Sequence, residues 1–79
     1  MGKFKSGDTV MCIQPTGVLQ LRHLAVYKVE MTFDINNVAC ATEDCQFISI
    51  IDLDTGEIVR STNGLALKVV SARFTKLEV

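Results

Sequence analysis

The sequence predicts an all-β protein, a small barrel of five or six antiparallel strands. Short apolar runs of period two recur along the 79 residues, and turn-forming residues separate them at short spacing. Pro15 is the only proline, so little bars ladder formation elsewhere. The strongest single signal is Gln46 to Arg60 (QFISIIDLDTGEIVR), in which two apolar runs face each other across Asp54-Thr55-Gly56.

In that stretch Phe47, Ile48, Ile50, Ile51 and Leu53 form a β-branched run too short for a good helix, and Ile58 and Val59 restart the pattern. Leu53-Asp54-Thr55-Gly56 suits a type I turn whose glycine takes positive φ, so both arms should run antiparallel. Ile50 and Ile51 point to opposite faces, which requires something to cover each.

From the start of the chain, Ser6-Gly7-Asp8 is a turn that delivers a strand over Thr9 to Ile13, and Gln14-Pro15-Thr16-Gly17 is a loop. Val18 to Ala25 reads as an irregular connector with strand-like ends. Val26 to Phe33 is the cleanest strand: Tyr27, Val29, Met31 and Phe33 alternate with Lys28, Glu30 and Thr32, which aims the first set inward. Asn36-Asn37 marks a turn, Val38 to Ala41 a short strand, and Thr42-Glu43-Asp44 an exposed loop. After the central hairpin, Ser61-Thr62-Asn63-Gly64 is a second turn and Leu65 to Val70 another strand, with Leu65, Leu67 and Val69 on one face. Ser71 to Phe74 is a single tight turn, and Thr75 to Val79 a last strand. The core expected from these faces is Val10, Cys12, Ile13, Tyr27, Val29, Met31, Ile48, Ile50, Leu67, Val69, Phe74 and Leu77.

Length allows one domain over residues 1–79. Such a chain buries only roughly 60% of its unfolded surface. Yet 48% of the residues are hydrophobic and the mean hydropathy is +0.29. The surplus implies a tightly curled barrel or an apolar patch that meets a partner, another copy included. No apolar run approaches the roughly 18 residues of a membrane helix, and there is no signal peptide. Together with three cysteines without framework spacing, this points to the cytosol.

Phe4-Lys5-Ser6-Gly7-Asp8-Thr9-Val10-Met11-Cys12-Ile13, then Val26-Tyr27-Lys28-Val29, then Ala72-Arg73-Phe74 resembles the pattern of small SH3-like barrel proteins encoded by bacteriophages. The resemblance spans nearly the whole chain, and its motifs set up the first strand, the second strand and the short helical turn near residues 71–74. It implies an SH3-like barrel and a small accessory protein, with motifs that are structural and carry no chemistry; a phage accessory protein that binds and modulates a host protein in the host cytoplasm is the expected setting. Leu24 and Ala25 stand where that group usually has glycine and lysine.

Catalytic chemistry finds little support. His23 is the only histidine and has no evident nucleophile or orienting partner nearby, so no enzyme is expected. Cys40 and Cys45 are separated by four residues with Cys12 distant, which is poor spacing for zinc, and neither a metal nor a cofactor is expected. Cys12 should pack in the core, Cys40 similarly, and Cys45 should be an exposed or half-buried thiol. Asp52-Leu53-Asp54-Thr55-Gly56-Glu57 lacks the glycine and the last acid that a calcium loop needs, and reads as a solvated hairpin tip.

Charge is the informative clue. Residues 29–58 hold Glu30, Asp34, Glu43, Asp44, Asp52, Asp54 and Glu57 without one lysine or arginine, while both flanking segments are basic. The acidic set Glu43, Asp44, Asp52, Asp54 and Glu57 is the expected contact region for a protein partner in a non-catalytic interaction module. The alternative is nucleic-acid binding through Lys3, Lys5, Arg73 and Lys76, since first and last strands are neighbours in an SH3-like barrel. The third expectation is self-assembly through the apolar surplus or a free strand edge.

Overall fold

A computed structural model describes residues 4–40 and 46–77. It is nearly all β: β1 (Thr9–Cys12), β2 (Val26–Phe33), β3 (Phe47–Asp52), β4 (Lys68–Val70) and β5 (Phe74–Lys76), with a 3-10 turn at Ser71–Arg73. The strands form one antiparallel sheet in the order β4-β3-β2-β1-β5. The last strand thus returns to the first across the 3-10 turn, the order expected of a small SH3-like barrel. Among the described residues no helix is long and apolar enough to cross a membrane.

One face of the sheet curls around a core of Phe4, Val10, Cys12, Leu21, Tyr27, Val29, Ile48, Ile50, Val69 and Phe74. Tyr27 and Phe74 meet edge to face, ring centres 6.0 Å apart. This arrangement sets the positive ring edge against the partner's π face. The phenol reaches the rim, where its oxygen accepts a hydrogen bond from the Arg22 amide at 3.3 Å. A fully buried tyrosine therefore keeps its polar atom satisfied.

Four expected core residues lie outside it: Met31 and Ile13 are exposed, and Leu67 and Leu77 are only half-buried. For Met31 the cause is a β-bulge. Val29 pairs with Ile50 and Met31 with Ser49, so Glu30 is an extra residue in β2. One extra residue exchanges the faces beyond it. Thr32 consequently points into the core and Met31 and Phe33 point out. The bulge is pinned from both sides: the Ser6 hydroxyl donates to the Glu30 carbonyl at 2.8 Å, and the buried Ser49 hydroxyl donates to the Glu30 carboxylate at 2.6 Å. Thr32 donates in turn to the Cys40 carbonyl. Ile13 leaves the sheet because β1 ends at Cys12, where its amide and that of Gln14 turn to the Arg73 carbonyl.

Other boundaries differ as well. The Val18 to Ala25 connector is irregular without strand ends, yet it buries Leu21. Val38 to Ala41 is no strand within the described residues; Ala39 makes one bridge to Phe33. The second arm of the central hairpin is reduced to single bridges, Ile51 to Ile58 and Arg60 to Ala66, around the Ser61–Gly64 turn. That excursion leaves Lys68–Val70 as the strand beside β3 on this side, so Leu65 is exposed and Leu67 only packs against the core margin. β5 begins at Phe74, one residue earlier than expected. Cys12 is a buried free thiol, whereas Cys40 is half-buried and disulfide-bonded rather than a packed core thiol.

Leu24 has φ +65°, a left-handed conformation that a side chain with a Cβ pays to adopt. It is held there by its amide bond to the Cys12 carbonyl at 2.7 Å. This is the position at which the resembled phage proteins usually have glycine.

Candidate interaction surfaces

The hairpin tip is built on Asp52. One of its carboxylate oxygens accepts the Asp54 amide at 2.8 Å, closing an Asx turn, and its carbonyl accepts the Gly56 amide at 2.7 Å. Gly56 has φ +74°, as the turn requires. The other Asp52 oxygen lies 3.3 Å from the Arg22 guanidinium, which is also 3.6 Å from Asp54. The Tyr27 hydroxyl first, then Asp52, hold the Arg22 pKa above its ordinary value.

The structure therefore divides the expected acidic set. Asp52 is a scaffold residue whose side chain is 20% exposed; Asp54, at 82%, faces solvent. Glu57 is exposed too, its amide bonded to Thr55 and its carboxylate without an ion-pair partner among the described residues. Glu43, Asp44 and Cys45 lie outside the described residues. The other acids of the central block serve locally: Glu30 holds the bulge, and one Asp34 oxygen accepts the amides of Asn36 and Val38.

The basic set divides as well. Arg73 donates from one nitrogen to the carbonyls of Gln14 and Thr16, both at 2.8 Å, and so clamps the proline loop to the 3-10 turn. Lys76 pairs with Asp8 at 3.5 Å, and Lys5 joins that corner through its amide, 3.0 Å from the same carboxylate. Lys5 and Lys76 are thus brought together around an acid, while Arg73 sits at the opposite end of the β1–β5 ladder. Lys3 lies outside the described residues. His23 is exposed on the connector. Among the described residues no group of three His, Cys, Asp or Glu side chains is placed to hold a metal ion.

The outer face of the sheet carries the apolar surplus in two patches. At one end, Val70, Phe47 and Phe33 stand side by side across β4, β3 and β2. Here the Lys68 ammonium lies 4.5 Å from the centre of the Phe33 ring and bonds Asn37 at 2.6 Å, so its chain covers part of the patch. At the hairpin end, Met11 pairs with Val26 and Tyr27 with Asp52, and Leu53 begins the turn that follows β3. In the next row Ile51 stands between its bridge partner Ile58 and the exposed Lys28. Leu53 and Val26 are exposed, and Met11, Ile51 and Ile58 half-buried.

Fold and surface together define a small all-β protein of SH3-like strand order with an acidic tip on its central hairpin. Compared with protein-family models, with curated proteins and with solved structures, the chain matches none.

Proposed function

We propose that this chain is a non-catalytic protein-interaction module that docks a basic surface of its partner at the tip of the central hairpin. The observation that supports it is how the charges are used. Arg22, Arg60, Lys68, Arg73 and Lys76 each have a partner within the chain, and the exposed Lys5 and Lys28 are spread apart, whereas Asp54, 82% exposed beside Arg22, and the exposed Glu57 stand together at one corner. Exposed like charges at a rim steer association and select partners of the opposite sign. The phage-like sequence pattern supports a specific setting, an accessory protein acting on a host protein.

The test is recovery of partners by the tagged chain from a bacterial lysate treated with nuclease, compared with the Asp54→Lys/Glu57→Lys variant. A stoichiometric protein retained by the wild type and lost by the variant is the expected result. The variant's melting temperature should stay within about 3 °C, since exposed substitutions cost little. Asp52 is left intact because it builds the turn. A partner retained by the variant refutes the tip. Partners that disappear on nuclease treatment refute the protein-docking reading in favour of nucleic acid, where steep salt dependence should follow.

A further inference from the structure

We infer that the outer edge of β4 is a docking site for an extended acidic segment of a partner protein, which adds to the sheet as a further strand. β4 is the last strand on its side of the sheet, and it pairs with the start of β3, away from the hairpin tip at its end. The two sites are therefore independent. The register shows which backbone groups of β4 are spent. Val69 pairs with Ile48, and two residues further on the Ser71 amide bonds the Gln46 carbonyl at 2.8 Å. In an antiparallel ladder such hydrogen-bonded positions alternate with positions whose N–H and C=O point the other way. Lys68 and Val70 occupy those. The Val70 carbonyl serves the 3-10 turn that this residue caps. The Lys68 N–H and C=O and the Val70 N–H have no hydrogen-bond partner among the described residues. A hollow opens at each end of this edge, one beside Leu67 and Lys68, the other between Val70, Ala72 and Arg73.

Charge selects the occupant. From Ile58 to Leu77 the chain holds Arg60, Lys68, Arg73 and Lys76 and no aspartate or glutamate. Lys76 is paired with Asp8, but the other three bond only neutral oxygens, those of Gly64, Asn37, Gln14 and Thr16. Arg73 is the anchor. Two carbonyls fix one of its nitrogens, and the remaining guanidinium N–H groups have no acceptor among the described residues. A carboxylate fits that fork. Lys68 sends its ammonium across the sheet to Asn37 and the Phe33 ring, so its side chain leaves the edge open. A cation on an edge strand discourages neutral and basic strands from pairing. A second copy of this chain would bring the same cations to the contact. A helix has already paired its own backbone groups along its length, so it cannot meet the three open ones. An extended acidic segment meets both the edge and the charge.

The probe is a short synthetic peptide of alternating glutamate and threonine, titrated into the isotope-labelled full chain and followed by amide chemical shifts. Saturable shifts centred on Lys68, Val70 and Arg73 are expected. The decisive variant is Val70→Pro, which deletes the open N–H. Val70 has φ −65° and ψ 129°, values that proline adopts, so the fold and the melting temperature should hold. The variant should nevertheless weaken the peptide by about tenfold. N-methylation of the peptide amides, or lysine in place of glutamate, should weaken it at least as much. Undiminished binding by Val70→Pro or by the N-methylated peptide would overturn strand addition. Equal binding of the lysine peptide would overturn the acidic occupant. Shifts at Lys68 and Val70 that grow with protein concentration alone would overturn it in favour of a second copy. An oligonucleotide that moves the same residues more tightly would do so in favour of nucleic acid. Asp54→Lys/Glu57→Lys should not weaken the peptide, so failure at this edge leaves the hairpin tip standing.

Discussion

Asp52 and Asp54 are two residues apart on one hairpin, yet the structure gives them opposite duties, and stability measurements separate them. Asp52→Ala removes the acceptor of the Asp54 amide and the 3.3 Å partner of Arg22. The turn hydrogen bond contributes about 1 kcal/mol. The ion pair adds little, because the Arg22 side chain is 63% exposed and solvent screens it. The lost turn bond corresponds to a fall in melting temperature of about 4–8 °C for a domain of this size. Asp52→Asn keeps an oxygen for the amide and loses only the charge, so its deficit should be well below that of Asp52→Ala and should fade in molar salt, where the Debye length shrinks to about 3 Å. Asp54→Ala should cost less than about 0.5 kcal/mol in any salt. Thermal melts by circular dichroism at low and high sodium chloride, with urea titration for the free energies, read all three. If Asp52→Asn were as damaging as Asp52→Ala, the Asx turn would not be the stabilising element. If Asp54→Ala matched Asp52→Ala, the assignment of scaffold and contact roles would be wrong.

Two further substitutions probe the frame around the tip. Arg73→Ala should lower stability by about 2 kcal/mol, because one guanidinium nitrogen serves two carbonyls in the proline loop. Arg73→Lys should recover only part of this, and unchanged urea midpoints for both would refute the clamp. Leu24→Gly should raise the melting temperature by a few degrees. Relief of the left-handed strain, about 1–2 kcal/mol, outweighs the roughly 0.5–1 kcal/mol of added unfolded-state freedom; a lower melting temperature would show that the Leu24 side chain stabilises the corner more than its backbone strains it.

Much of the fold was legible because local chemistry and tertiary packing agree. Val26 to Phe33 has the bounds expected from its alternation, the 3-10 turn falls where the chain shortens before Phe74, and Gly56 has the required backbone angle. The faces beyond Val29 were not legible. Period-two reading assumes one residue per ladder step, and nothing in the β2 sequence itself announces that Glu30 will be extra. Its partners, Ser6 and Ser49, are distant in sequence. The burial of Phe4 and Leu21 was missed for a related reason: both sit in segments without periodicity, and only tertiary contact selects them.

The candidate surface was half legible. Counting charges located the acidic hairpin, but it could not tell an acid that builds a turn from one that faces water. The spacing Asp52-Leu53-Asp54-Thr55-Gly56 carried the hint, since an aspartate two residues before an amide is the Asx-turn pattern. The role of Arg22 had no local signal, as it pairs with a residue thirty positions away. Arg73 likewise appeared as a free charge until its bonds to Gln14 and Thr16 were visible.

The pairing of β5 with β1 bears on how the protein is made. Val10, Met11 and Cys12 find their second set of neighbours in Phe74, Thr75 and Lys76, and the Leu77 amide closes the ladder on the Thr9 carbonyl at 2.9 Å. During synthesis β1 emerges with one edge unsatisfied and stays so until nearly all of the described chain has been translated. Until β5 docks, the sheet presents an open β1 edge, the kind of edge most prone to pair with another chain. Docking of a single three-residue strand exchanges that four-residue edge for a shorter one, which ends in the charged Lys76 and offers less to a neighbouring chain.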